Sequence, residues 1–166
     1  MTNTVPGSLA AGDKAGMEAA IAAARAGIES GQTPFGCAVV LEGRLLAARH
    51  NTVWRDGDPT RHAEVIAIGV ACRELGSLDL SGATLCATCE PCPMCFSAAH
   101  WARVSRVVYG ATIADAAAAG FNELAIPAER MNADGGGRVE LVAGFMADAC
   151  RDLFLYWREL GRSLPY

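Results

Sequence analysis

The sequence holds 166 residues, 52% hydrophobic and 19% charged, with a net charge of −4. A single chain of this length buries roughly 70% of the surface it exposes when unfolded, and its apolar content excludes intrinsic disorder. Its alanine-rich runs, 19–26 and 116–119, are too short and too interrupted to approach the ~20 apolar residues of a membrane span.

In chain order, residues 1–12 are small and polar with Pro6 and Gly7, and read as a loose lead-in. Met17, Ala20, Ile21, Ala24 and Ile28 recur with a 3.6-residue period, which predicts a helix over Asp13–Glu29 broken by Gly31 and Pro34. Cys37–Leu41 and Arg44–Ala48, joined by Glu42-Gly43, predict a β-hairpin. A polar loop over His50–Thr60 follows. A second helix is expected from Thr60 or Arg61 to Leu75, with Gly76 as its stop. Ala83–Ala87 reads as a buried strand, Met94–Ala102 as a third helix introduced by Pro91 and Pro93, and Val104–Tyr109 as another buried strand. Residues 112–137 read as loop and short helix ending in the turn Gly135-Gly136-Gly137. Val139–Val142 is the last expected strand, and Phe145–Leu160 an amphipathic helix carrying Phe145, Ala149, Leu153, Trp157 and Leu160 on one side. No repeat or linker divides the chain, so one domain over 1–166 is expected. Its fold class is α/β, a three-layer α/β/α arrangement around a mixed five-stranded sheet.

Of the seven cysteines, four fall between positions 86 and 95. The odd count, in a chain showing no secretory leader, favours metal or thiol chemistry over a disulfide framework and predicts a cytoplasmic protein. His62-Ala63-Glu64 and Pro91-Cys92-Pro93-Met94-Cys95 together match the His-x-Glu and Pro-Cys-x-x-Cys signature of zinc deaminases. Cys92 and Cys95, three apart in the first turn of a helix, present both sulfurs on one face, and the helix N-terminus favours their thiolates. His62 at another helix start supplies a third ligand. Three protein ligands leave the fourth tetrahedral position for water, the mark of one catalytic Zn2+ per chain. Two thiolates and a neutral imidazole offset the zinc charge, so a nearby base is needed, and Glu64 is that base. A structural zinc knuckle with Cys89 as fourth ligand leaves Glu64 without a role. A redox Cys-x-x-Cys leaves His62 and Glu64 without one.

On these residues the sequence resembles the cytidine deaminase-like superfamily from Met17 to Tyr166, and within it the small bacterial zinc guanine deaminases. The likeness is carried by Thr33-Pro34-Phe35-Gly36, Asp58 to Glu64, Thr88 to Cys95, Trp101-Ala102-Arg103, Asp115 and Ala119-Gly120-Phe121. The resemblance implies conversion of guanine to xanthine and ammonia by attack of zinc-activated water, with His62, Cys92 and Cys95 as zinc ligands and Glu64 as proton shuttle. It further implies a substrate pocket of Phe35, Asn51, His62, Ala63, Trp101, Phe121 and Tyr166. Glu123, where some members carry Asp, is implied to bind the amino group and assist its departure. A homodimer is implied as well, with the C-terminal residues Leu164-Pro165-Tyr166 crossing to close the neighbour's pocket. Trp157 and Tyr156 read as core residues of the last helix, and His50 and His100 as structural.

The same zinc chemistry serves other substrates. A tRNA adenosine deaminase needs a positive surface, whereas all but Lys14 of the 14 basic residues are scattered arginines and residues 115–119 contain no lysine. The expected partner is therefore a small nucleobase, not nucleic acid or membrane. Cytosine, a guanosine nucleoside or an aminotriazine remain alternative rings.

Overall fold

The computed structural model describes residues 10–161 and 164–166, so the expected lead-in falls mostly outside the described residues. Helix α1 spans Asp13–Glu29, as its periodicity predicts, with Met17, Ala20, Ala24 and Ile28 buried. Strands β1 (Gly36–Leu41) and β2 (Arg44–His50) form the expected hairpin. Leu41 pairs with Arg44 across the two-residue turn. Both turn residues, Glu42 at φ 50° and Gly43 at φ 78°, take the left-handed backbone that matches the twist of a tight hairpin.

The polar loop contains one helical turn that the sequence pattern does not predict, α2 (Val53–Asp56). The next helix, α3 (Ala63–Leu75), starts later than expected. Asp58 Oδ1 accepts hydrogen bonds from the Thr60 backbone N–H and hydroxyl, which holds residues 58–61 in a turn and delays the helix to His62 as N-cap. Strand β3 is Thr84–Cys89, helix α4 Pro93–Trp101 and strand β4 Arg106–Ala111. The segment between β4 and the last strand holds two short helices, α5 (Ile113–Ala118) and α6 (Ala128–Asp134). Strand β5 covers only Glu140–Val142, because Asn132 hydrogen-bonds both the N–H and the C=O of Val139 in place of a neighbouring strand. Helix α7 (Ala147–Leu160) begins two residues late because Gly144 and Met146 both take positive φ.

The sheet order is β2-β1-β3-β4-β5, antiparallel across the first two pairings and parallel across the last two. This is the expected mixed five-stranded sheet. Strand β4 is buried along its whole length and β1 nearly so, the pattern of central strands covered on both faces. Cys37, Val39, Leu85, Ala87, Val107 and Tyr109 face the layer of α3, α4 and α6. Ala38, Cys86, Val108 and Ala111 face the layer of α1 and α7. Among the described residues no helix is long and apolar enough to cross a membrane.

Two features place the site. Strands β3 and β4 are parallel, so their carboxyl ends open at one edge of the sheet, where ligands of α/β folds bind. Antiparallel β1 begins at that same edge, with Cys37 opposite Ala87. Gly36 there lets α1 approach closely, since a Cβ at Gly36 would lie 2.1 Å from the Ala20 carbonyl oxygen. The Gly36 N–H donates to buried Thr88 Oγ1 at 3.0 Å.

Candidate active site

Strand β3 ends at Cys89, and Glu90-Pro91 carries the chain into α4. Cys92 is the N-cap of α4, Pro93 its first residue, and Cys95 lies in its first turn. His62 is the N-cap of α3 with extended backbone (φ −69°, ψ 151°), so it diverges freely from Glu64, the second residue of that helix. Two helix starts therefore converge on one point. His62 Nδ1 lies 3.7 Å from Cys92 Sγ and 3.4 Å from Cys95 Sγ, and the two sulfurs are 3.6 Å apart. A tetrahedral zinc with ordinary bond lengths needs ligand separations of about 3.8 Å between sulfurs and about 3.6 Å from sulfur to nitrogen. The donor set fits zinc in chemistry and spacing. Among the described residues, His62, Cys92 and Cys95 form the group whose ligand atoms are close enough to share a metal ion. Cys89 is not in it; its thiol donates to the Thr112 carbonyl at 3.4 Å.

The electrostatics of the metal-free group suit a cation. Hydrogen bonding with Cys95 and His62 pulls the Cys92 thiol down to about 4 despite partial burial. Cys95, hydrogen-bonded to Cys92 and itself buried, is pushed far the other way. Burial alone would lower the His62 pKa, but the hydrogen bond to Cys92 and the nearby Glu64 charge raise it. Glu64 is buried against Cys95, whose thiol donates to Oε2 at 3.4 Å. Burial pushes its carboxyl up to about 7, partly opposed by the charge of His62. A carboxyl poised there exchanges protons readily near neutral pH.

His62, Glu64 and Cys92 line a cavity of about 20 Å³ together with Phe35, Cys89, Glu90, Glu123 and Tyr166. Phe35 and Phe121 meet edge to face at 4.8 Å, and Trp157 packs behind Phe121 at 5.1 Å as the core residue it was expected to be. Half-buried Glu123 has its carboxyl raised by burial and then by the Cys92 charge. Asn51 is fully buried: Oδ1 accepts from the Val53 N–H at 3.0 Å, and Nδ2 donates to the Tyr166 hydroxyl at 2.5 Å. The Tyr166 ring stands 5.8 Å from that of His62 and 6.0 Å from that of Phe121.

One expected pocket residue lies apart from this cavity in the single chain. Trp101 does not line this cavity; it ends α4, opposite Cys92, and is 82% exposed. The nine residues of α4 carry it roughly 12 Å along the axis from the metal-binding turn. Within the single chain the C-terminal residues lie against the chain's own site: Trp54 Nε1 donates to the Leu164 carbonyl at 2.8 Å and the Asn122 N–H to the Tyr166 carbonyl at 3.2 Å. Ala63, the first residue of α3, is a core residue with no exposed surface. Cys89 and Glu90 were given no place in the cavity by sequence reasoning. Their position between the end of a buried strand and Pro91 was the available signal.

Residues 11–111 match the cytidine and deoxycytidylate deaminase zinc-binding region, and the chain belongs to that family of zinc-dependent deaminases. Among its relatives is the guanine deaminase of Bacillus subtilis (strain 168), 48% identical over 90 residues, which are 54% of this chain and 58% of that one. The tRNA-specific adenosine deaminase of the same organism is 35% identical over 152 residues, 91% of this chain and 92% of that one. A solved guanine deaminase from Nitrosomonas europaea superposes with a TM-score of 0.81 at 31% identity, covering 95% of this chain and 90% of the other.

Proposed function

We propose that the protein removes the exocyclic amino group of a free purine base by hydrolysis, taking guanine and water to xanthine and ammonia. The observation that carries this reading is the pair of half- or fully buried carboxyls, Glu64 and Glu123, lining one small aromatic-walled cavity beside the metal-binding group. His62, Cys92 and Cys95 would hold zinc, which would supply Lewis-acid activation of water there. Glu64 takes the proton of the attacking water and passes it to the ring nitrogen next to the carbon under attack. Glu123 holds the amino group while Glu64 relays the remaining proton, from the newly added hydroxyl, to the amine, so the C–N bond breaks with ammonia leaving and the carbonyl forming. Phe35 walls the base, with Phe121 packed edge-on against that ring from behind, and Asn51 reads the base through the amide that Tyr166 otherwise occupies. With Tyr166 docked, about 20 Å³ is room for roughly one water, so a base enters as the tyrosine swings aside.

The net charge of −4 and the lysine-free Asp115–Ala119 stretch favour a free base over a nucleotide within a polymer. None of the seven cysteines pairs in a disulfide, in keeping with purine breakdown in the reducing cytoplasm. We further propose a homodimer. An apolar groove of about 660 Å³ runs along the outer face of α3 and α4, with Leu78 and Trp101 at its edge, each 82% exposed.

The likeness over 91% of the chain to a tRNA-specific adenosine deaminase favours a second reading, deamination of a tRNA adenosine. One experiment separates the two: zinc-loaded protein is given a panel of purines, pyrimidines, nucleosides, an aminotriazine and a cognate tRNA at low salt, and ammonia is measured. Release from guanine is expected. Release from tRNA alone, or from another ring but not guanine, overturns the substrate assignment.

A further inference from the structure

Glu90 shares the cavity wall with Glu64 and Glu123, but both of its carboxylate oxygens are already engaged. Oε2 accepts the Ile113 N–H at 3.1 Å and Oε1 the Ala128 N–H at 2.8 Å, both bonds buried. Its own N–H donates to the Ala111 carbonyl at 2.8 Å, which ties it to the end of β4. Ile113 and Ala128 are the first residues of α5 and α6, whose opening N–H groups have no partner inside their own helices. One carboxylate satisfies both through charge-assisted bonds.

Between these anchors runs the stretch that carries Phe121 and Glu123. Residues 121–127 form no helix or strand, and all but Phe121 and Glu123 of them are exposed. On the upstream side Phe121 is buried among aromatic rings, and its N–H donates to the Ala116 carbonyl at 3.2 Å. On the downstream side Leu124 and Ile126 are 60% and 36% exposed, and buried Ala128, held by Glu90, returns the chain to the core. Glu90 is also separated from the ligand Cys92 only by Pro91, whose ring stiffens that link.

We propose that Glu90 is a positioning residue: by clamping the first N–H groups of α5 and α6 it registers the 121–127 loop against the metal-binding turn and so sets Glu123 at the departing amino group. This rests on the role given to Glu123 above. Glu90 transfers no proton itself.

The test uses two variants of the zinc-loaded protein. Glu90→Gln keeps the shape but turns an amide NH2 toward one of the two N–H donors. Ala128→Pro deletes a donor instead: Pro127, at φ −61° and ψ 146°, already has the backbone a following proline requires, and the first helical position tolerates proline. Amide exchange over 119–128, zinc content, and turnover in both wild-type and Glu123→Gln backgrounds are measured. Expected are one zinc per chain, faster exchange confined to 119–128, and a kcat lower by about tenfold to a hundredfold, the cost of a displaced group. In the Glu123→Gln background the same changes should cost under about twofold, because the two residues act as one unit. Wild-type protection over 119–128 in both variants, loss of zinc, or an equal fall in both backgrounds overturns the proposal. If Glu123→Gln alone keeps full turnover, the role of Glu123 fails, while the exchange result still decides whether the clamp exists.

Discussion

In the proposed reaction Glu64 moves the proton, and its position separates that role from metal binding. It is buried beside Cys95 yet outside the group that shares the metal. Glu64→Ala should therefore lower ammonia release by about a thousandfold, the scale of a lost general acid–base group, while metal analysis still finds one zinc per chain. Loss of the metal would make Glu64 a ligand. His62, Glu64, Cys92 and Cys95 were legible in the sequence because the metal dictates residue types and their spacing. Asn51 and Glu123 came only through resemblance, since a lone amide or loop acid has no periodicity. Glu90 was invisible for a different reason: its partners are backbone N–H groups, and backbone donors leave no trace in residue identity.

Among the elements, the contact of α1 with the start of β1 is the tightest near the site. Gly36→Ala would force a Cβ against the backbone of Ala20 and Ala24, with no flexible side chain to yield. We expect a loss of about 2–3 kcal/mol, the usual scale of overpacking, seen as a melting temperature lower by roughly 5–10 °C. A melt within 1 °C of wild type would show that α1 slides freely on the sheet. The same helix shows what pattern reading does well: its repeat of buried apolar residues fixes both ends at Asp13 and Glu29. Elements without a repeat were harder. Helix α2 has four residues and one buried side chain, too short to show a period. The expected β4 began at Val104 because burial and pairing look alike in sequence; Val104 is buried but its N–H bonds to the Ala99 carbonyl, and the strand begins at Arg106.

For the whole molecule, the proposed dimer face lies on the α3–α4 layer, whose helix starts carry the metal-binding group. Trp101→Glu places a charge at the edge of the exposed apolar groove and should shift sedimentation toward the monomer while zinc content stays at one per chain. Unchanged sedimentation would mean that another surface holds the subunits together. Arg106 links the layers in a different way: it bonds Asp13 on α1 at 2.8 Å and Glu140 on β5, so the far edge of the sheet is tied to the first helix.

The distribution of thiols has a practical consequence. Five of the seven cysteines are buried, and only Cys72 and Cys92 reach partway to solvent. Cys92 belongs to the group positioned to hold a metal ion, and Cys72 does not. An alkylating reagent at neutral pH should thus label Cys92 quickly in chelator-treated protein, where its low pKa keeps it a thiolate, and spare it in zinc-loaded protein. Cys72 reacts alike in both and serves as the internal reference. Equal labelling of Cys92 in the two forms would contradict its place in the metal site. The chain carries its own occupancy gauge, readable by mass spectrometry without any substrate.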